Sequence, residues 1–254
     1  MDFLEFEKWV YKEMGINLSA YKPNQLHRRI ESLMSRVGVK NLQDYKVLLT
    51  KDKEQKQRFL DFITINVTEF FRNPEMFSQL EDLLKKEFVK NPSLKVWSAA
   101  CSIGCEPYSL GIIMDNIGYK GKLTILATDI DQTILSKAQL GQYSENEIKN
   151  VNSTNLDKYF SKVNDKYFIK DEIKKKITFQ KQDLILDNYD SNFDIIVCRN
   201  VVIYFNNDTK DKIYEKFSKS LKKGGLLFVG ATETIYDYKK YGFEKASTFI
   251  YRKL

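Results

Sequence analysis

The segment Asn66-Val67-Thr68-Glu69-Phe70-Phe71-Arg72 packs four polar side chains and an aromatic pair into seven residues. Asn66 and Thr68 alternate as they would on an extended chain, and Phe70 and Phe71 are expected in a core. Asn73-Pro74 reads as a helix cap followed by proline at the first helical position, which holds Arg72 beside a helix mouth. Such a wall suits ligand binding. Asn-Val-Thr also has the form of a glycosylation sequon, but the start Met1-Asp2-Phe3-Leu4-Glu5 has neither the basic nor the apolar region of a secretory signal. The cytosol is therefore the expected compartment.

Further polar residues end apolar runs. Leu94 to Ala99 leads into Ala100-Cys101-Ser102-Ile103-Gly104, which is neither Gly-x-Gly-x-x-Gly nor a Walker loop, so no phosphate cradle is expected. Leu123 to Ala127 leads into Thr128-Asp129, where a carboxylate accepts both hydroxyls of a ribose. Asp129 also suits a helix cap, although Asp131 stands better for that task. Gln182-Asp183-Leu184 offers an acceptor for an adenine amino group, and Phe193 to Cys198 delivers Arg199 and Asn200, with Tyr204 shortly after. Ribose and adenine contacts without a phosphate site suit S-adenosylmethionine. Surface turns and packed aromatics use the same residue types.

Runs of β type alternating with helical runs from Leu94 onward predict a parallel sheet with crossover helices, and Gly242 to Tyr251 predicts an antiparallel edge. Between Tyr143 and Lys181 the alternation breaks. Tyr159-Phe160, Tyr167-Phe168-Ile169 and Ile177-Thr178-Phe179 predict an inserted antiparallel flap, since a structureless connection of that length is uncommon. Residues 2–63 read as amphipathic helices: Phe3 to Met14, Asn24 to Val37, Leu42 to Leu49 capped by Asn41, and Glu54 to Ile63.

The 254 residues suffice for two domains, and no apolar run approaches the ~20 residues of a membrane span. Three cysteines and a single histidine cannot assemble an ordinary zinc site, so reduced thiols and no metal are expected. The formal charge of +7 is spread among mixed acids and bases and does not demand nucleic acid. Its sharpest cluster lies on the second helix, where Leu26, Ile30, Leu33 and Met34 mark one face and the arginines fall largely elsewhere.

Asn-x-Thr-x-Phe-Phe-Arg, Ala-x-Cys-Ser-x-Gly-x-Glu-Pro-Tyr-Ser, Ala-Thr-Asp-Ile-Asp and Cys-Arg-Asn-Val-x-Ile-Tyr-Phe occur in that order. Together they resemble the CheR family of chemoreceptor glutamate methyltransferases, over nearly the full length. The resemblance implies an α/β fold: a Rossmann-like, mostly parallel sheet with an antiparallel edge, an inserted antiparallel β-subdomain and an all-α N-terminal domain. The expected bounds are 1–70 and 71–254, with the insertion at about 150–181. It implies methyl transfer from S-adenosylmethionine to receptor glutamates, with S-adenosylhomocysteine as product. The alternative is a module that binds these nucleosides with little turnover.

Residue by residue, the resemblance implies that Asn66, Thr68, Arg72, Ala99, Cys105, Asp129, Ile130, Asp183, Leu184, Arg199 and Asn200 hold the cofactor. Arg72 and Tyr204 match the pair placed beside the transferring methyl. Arg28, Arg29 and Arg36 form a dock for the acidic cytoplasmic part of a methyl-accepting receptor. The enzyme is expected to be a monomer, without nucleic acid or membrane insertion. The turn at Asn164-Asp165 lacks the glycine-bearing insertion of pentapeptide-tethered members, so untethered action is expected. Two positions depart from the pattern. Asp183 replaces the usual asparagine and still accepts from an amino group. Cys105 replaces the first glutamate of Gly-Glu-Glu-Pro-Tyr, and losing one charge-assisted hydrogen bond to the methionine ammonium costs about 1.5–3 kcal/mol unless Glu106 or water substitutes.

Overall fold

The computed structural model describes residues 1–64 and 67–254. The chain divides into two compact units: Met1–Asn66 with Tyr204–Lys212, and Val67–Ile203 with Ile213–Leu254. Asn66, the first residue of the expected binding wall, lies outside the described residues. Among the described residues no helix is long and apolar enough to cross a membrane.

The first unit holds α1 (Phe3–Met14), α2 (Pro23–Arg36), α3 (Leu42–Lys51) and α4 (Lys53–Thr64). Local chemistry sets their ends. Asp2 accepts from the Glu5 N–H at 2.8 Å while Glu5 accepts from the Asp2 N–H, a capping box, and Gly15 closes α1 in the left-handed conformation. Pro23 opens α2 and Asn41 caps α3 through the Asp44 N–H. The face of α2 read from the sequence, Leu26, Ile30, Leu33 and Met34, is the buried one. Phe6, Tyr45 and Phe59 form the aromatic centre, their rings 6.1 Å apart. The segment from Tyr204 joins this unit by a backbone pairing: Lys22 N–H donates to Tyr204 at 2.9 Å, and Asn206 N–H donates to Ala20 at 2.9 Å.

The second unit opens with α5 (Pro74–Leu83), β1 (Ser93–Ala99), α6 (Cys105–Asn116), β2 (Lys122–Asp129) and α7 (Gln132–Leu140). Its middle carries β3 (Gln142–Tyr143), α8 (Glu145–Ile148), α9 (Ser153–Tyr159), β4 (Phe160–Val163), β5 (Lys166–Ile169) and α10 (Asp171–Lys174). Then come β6 (Ile177–Lys181), β7 (Phe193–Cys198), α11 (Asn207–Ser220), whose residues up to Lys212 count with the first unit, β8 (Leu221–Val229), β9 (Phe243–Lys245) and β10 (Ile250–Lys253). The sheet order is β6-β2-β1-β7-β8-β10-β9, parallel from β6 to β8 and antiparallel at β10 and β9. The α/β class, the antiparallel edge and the small second sheet are as the sequence implied.

One strand lies elsewhere. Ile177-Thr178-Phe179 is not in the antiparallel flap: β6 pairs in parallel with β2, Ile177 opposite Ile125, at the edge of the main sheet. A short run alternating in burial reads alike as a flap strand and as a parallel edge strand, so the pattern could not separate them. The flap itself is β3-β5-β4, with Asn164 left-handed at its tip.

The chain reversal between β1's two neighbours sets the site. From β1 the sheet grows outward through β2 on one side and β7 on the other, so a crevice opens at the carboxyl ends of these strands. Trp97 fixes β1 from below, its indole N–H donating to Thr128 Oγ1 at 2.9 Å and its ring packed against Tyr189, Phe193 and Phe217. Fully buried Phe70 packs on Tyr108, Tyr143 and Phe160, joining the entry segment to the flap.

Asp115 on α6 anchors the flap's flank. It accepts from Lys158, from the Tyr159 hydroxyl at 2.7 Å and from Lys176. Burial opposes its charge, but the hydrogen bonds from Lys158, Tyr159 and Lys176 outweigh that and hold the carboxyl well below the usual range. Asp115→Ala is expected to cost about 1–2 kcal/mol near neutrality, partial exposure keeping the figure low. The cost should vanish on acidification below the folded pKa, where the wild-type carboxylate is lost as well; urea unfolding across pH checks both statements.

Candidate active site

The loop after β1 is built from backbone that ordinary side chains resist. Ala100, Ser102 and Gly104 all have positive φ, of 62°, 50° and 88°. Two are not glycine, so the surroundings must enforce the shape, as loops shaped for function do. Cys101 N–H donates to Thr128 at 2.8 Å and Ser102 N–H donates to Asp129 Oδ2 at 2.8 Å. Gly104 is needed twice over: it is left-handed, and a Cβ there would stand 3.0 Å from that of Ala138. It opens α6 without a side-chain cap, which leaves the first turn's N–H groups toward the loop.

Asp129 ends β2 as expected and is buried. Its oxygens accept from the N–H groups of Ser102 and, at 3.1 Å, Asp131. Burial raises its pKa to about 6. The helix-cap task belongs to Asp131, which accepts from Thr133 and Ile134. Asp129 is thus left with the free lone pairs of two fixed oxygens. Asp183 follows β6; its Oδ1 accepts from Ile185 and Leu186, while Oδ2 is buried without a partner. Gln182 Oε1 is likewise buried and unpartnered. Lys216 braces this loop through the carbonyls of Ile185 and Asp187, at 3.0 and 2.8 Å. Buried acceptors without donors are costly, and a ligand N–H or O–H satisfies them.

Arg199, after β7, is buried between the rings of Phe77 and Phe228, 4.9 and 4.8 Å from their centroids. It donates to the Arg72 carbonyl at 2.6 Å and to Asn73 Oδ1 at 3.1 Å. Asn73 therefore stands before α5 as expected, yet it makes no side-chain cap there and serves Arg199 instead. Glu106 Oε2 lies 3.9 Å from Arg199, and Ser98 Oγ donates to Glu106 Oε1 at 2.7 Å. Burial raises Glu106 to about 7 against the pull of Arg199 and Ser98.

Glu106 changes the meaning of Cys105. Cys105 is fully buried in the cluster that holds Phe70, Tyr108 and Tyr143, so a carboxylate side chain is not what that position presents to the loop. Adjacent positions on a helix point about 100° apart, and it is Glu106 that meets Ser98 and Arg199. Glu106 thus stands where the substitute for the missing carboxylate was expected. Ser98, a hydroxyl within an apolar strand, was the overlooked sequence signal.

The structure brings Arg72, Ala99, Asp129, Ile130, Asp183, Leu184, Arg199 and Asn200 into the second unit around these strand ends; Ala99 and Leu184 are buried, and Thr68 is half-buried. Half-buried Arg72 donates to the Val67 carbonyl at 3.0 Å. Tyr204 belongs to the first unit, where it lines a cleft with Tyr21, Lys22, Gln25, Leu26, Arg29 and Ile63. Arg28 and Arg36 are exposed. Arg29 is not simply solvated, since it donates to the Phe62 carbonyl and lies over the Phe62 ring at 4.3 Å.

Residues 66–250 match the family model described as CheR methyltransferase, SAM binding domain, and residues 1–64 match CheR methyltransferase, all-alpha domain. The chain is 38% identical over 254 residues to a chemotaxis protein methyltransferase of Listeria innocua, covering 99% of this chain and 97% of the relative. It is 32% identical over 241 residues to the chemotaxis protein methyltransferase of Escherichia coli, covering 91% and 83%. A solved S-adenosylmethionine-dependent methyltransferase from Mesorhizobium loti aligns with a TM-score of 0.35 at 14% identity, over 61% of this chain and 51% of that one.

Glu106 gives a test by proton linkage. Its folded pKa of about 7 exceeds the ordinary 4.5, so folding takes up a proton between those values and stability falls as pH rises through them. Glu106→Gln lacks this loss. Relative to wild type, it should gain stability between pH 5 and pH 8, by up to about 3 kcal/mol, in denaturant titrations.

Proposed function

The chain belongs to the CheR methyltransferase family, and from that premise we propose that it methylates glutamate carboxylates on the cytoplasmic helices of chemoreceptors. It is an S-adenosylmethionine-dependent methyltransferase of the chemotaxis type. The observation that carries the cofactor reading is the set of buried, unpartnered atoms at adjacent strand ends: Asp183 Oδ2, Gln182 Oε1, Ser102 Oγ and Arg199 Nε. These residues fit S-adenosylmethionine. Asp183 Oδ2 suits the adenine amino group, Asp129 the ribose hydroxyls, and Glu106 beside Ser98 the methionine ammonium. Arg199 suits its carboxylate, with Thr68, Ala99, Ile130, Leu184 and Asn200 completing the wall; Asn66, outside the described residues, is added by the family pattern alone.

The sulfonium supplies an activated methyl group. A glutamate acceptor with an ordinary pKa of ~4.3 is already ionised near neutrality, so no general base is required. What the protein adds is alignment and exclusion of water. Arg72 orients the incoming carboxylate, and Tyr204 is the companion that the family pattern assigns to the methyl. Exposed Arg28 and Arg36, with Arg29 beside them, attract an acidic receptor surface. We further propose action as a monomer, without a metal and without tethering to a receptor pentapeptide, given the tight Asn164-Asp165 turn between β4 and β5.

Incubation with labelled S-adenosylmethionine and receptor cytoplasmic fragments should give base-labile label, absent from fragments with the acceptor glutamates changed to glutamine. Label that survives those substitutions contradicts glutamate specificity. Arg72→Ala should lower transfer about 100-fold while weakening cofactor binding less than about 3-fold, measured by single turnover and calorimetry. Equal losses refute the orienting role. Arg28→Ala with Arg36→Ala should raise KM for receptor about tenfold at low salt and flatten its salt dependence.

A further inference from the structure

The loop that follows β7 depends on one carboxylate that the cofactor and acceptor chemistry does not use. Glu233, buried after β8, accepts from five backbone N–H groups. Oε2 takes Asn200 at 2.6 Å and Gly230 at 2.8 Å. Oε1 takes Val201 at 2.9 Å, Val202 at 2.8 Å and Ile203 at 3.3 Å. Three consecutive amides converging on one oxygen define the turn's curvature, and Asn200 is held with φ of 61°, where a non-glycine residue is strained. Gly230 is matched to the arrangement. A Cβ there would meet Glu233 Oε2 at 2.5 Å and the Asn200 nitrogen at 3.0 Å.

We propose that Glu233 is a positioning residue for cofactor binding: its carboxylate imposes the left-handed turn that sets Arg199 and Asn200 at the strand ends. The proposal rests on the reading that those two residues hold S-adenosylmethionine. A neutral residue cannot replace it. Glutamine offers one acceptor oxygen and turns an N–H₂ group toward backbone donors, so either the Asn200 pair or the Val201–Ile203 set loses its partner.

The test is calorimetric titration of S-adenosylhomocysteine into wild type, E233Q, N200A and a control, L94A, which trims a buried side chain at the far, amino end of β1. E233Q should bind about tenfold or more weakly at unchanged stoichiometry, with KM for S-adenosylmethionine raised alike and kcat within about threefold. L94A should lose thermal stability and keep the wild-type constant. E233Q that binds as wild type while melting lower, like L94A, overturns the positioning role. N200A without effect on binding overturns the cofactor reading, and the proposal with it. Should E233Q fail to fold, hydrogen exchange on the wild type decides. Amides of residues 200–203 protected before ligand is added support a turn set by Glu233, and rapid exchange there overturns it.

Discussion

The guanidinium of Arg199 is the charge on which this molecule's working edge is built. It is buried between two phenylalanine rings, and a buried charge persists only if it is paired and hydrogen-bonded. Its partners come from two other parts of the chain: the Arg72 carbonyl and Asn73 side chain on the entry segment, and Glu106 at the start of α6. Satisfying one arginine therefore fixes the entry segment, the first turn of α6 and the end of β7 against each other. Glu106 is drawn in at the expense of its own ionisation, which burial pushes to about 7.

Around that centre the strand ends carry acceptors rather than a phosphate cradle. Asp129 is immobilised by backbone N–H groups and Asp183 keeps one oxygen unpartnered, both raised by burial. A row of carboxylates with raised pKa values favours a ligand that brings hydroxyls, an amino group and positive charge. This is the electrostatic character of a sulfonium nucleoside, and it explains how a loop without Gly-x-Gly-x-x-Gly serves such a ligand. The strained positions Ala100, Ser102 and Asn200 cluster here, where neighbouring hydrogen bonds hold them.

Much of this was legible in the sequence because it is local. The buried face of α2, the cap at Asn41, and the division of labour between Asp129 and Asp131 depend on residues a few positions apart. What was not legible depends on distant partners. Ile177-Thr178-Phe179 has the same pattern whether it joins a flap or β2. Cys105 and Glu106 are told apart only by the aromatic cluster on one side and by Ser98 and Arg199 on the other. Asn73 has the right type for a cap and is claimed by an arginine 126 residues later. Glu233 has no motif of its own, and its role appears only when Asn200 to Ile203 fold back onto it. Tyr204 follows β7 in sequence, yet joins the helical unit, its carbonyl accepting from Lys22 N–H beside the bridge of Tyr21 and Phe205.

The account stands on ligand recognition by fixed carboxylates at the strand ends, and titration of S-adenosylhomocysteine into wild type and Asp129→Ala tests it most directly. The ribose assignment requires micromolar or tighter binding by wild type and a loss of about 100-fold or more in the variant, since two hydroxyl contacts to a charged acceptor disappear together. Equal affinity in a folded Asp129→Ala protein would contradict it, leaving Asp129 as a support for the Ser102 and Asp131 amides and nothing more.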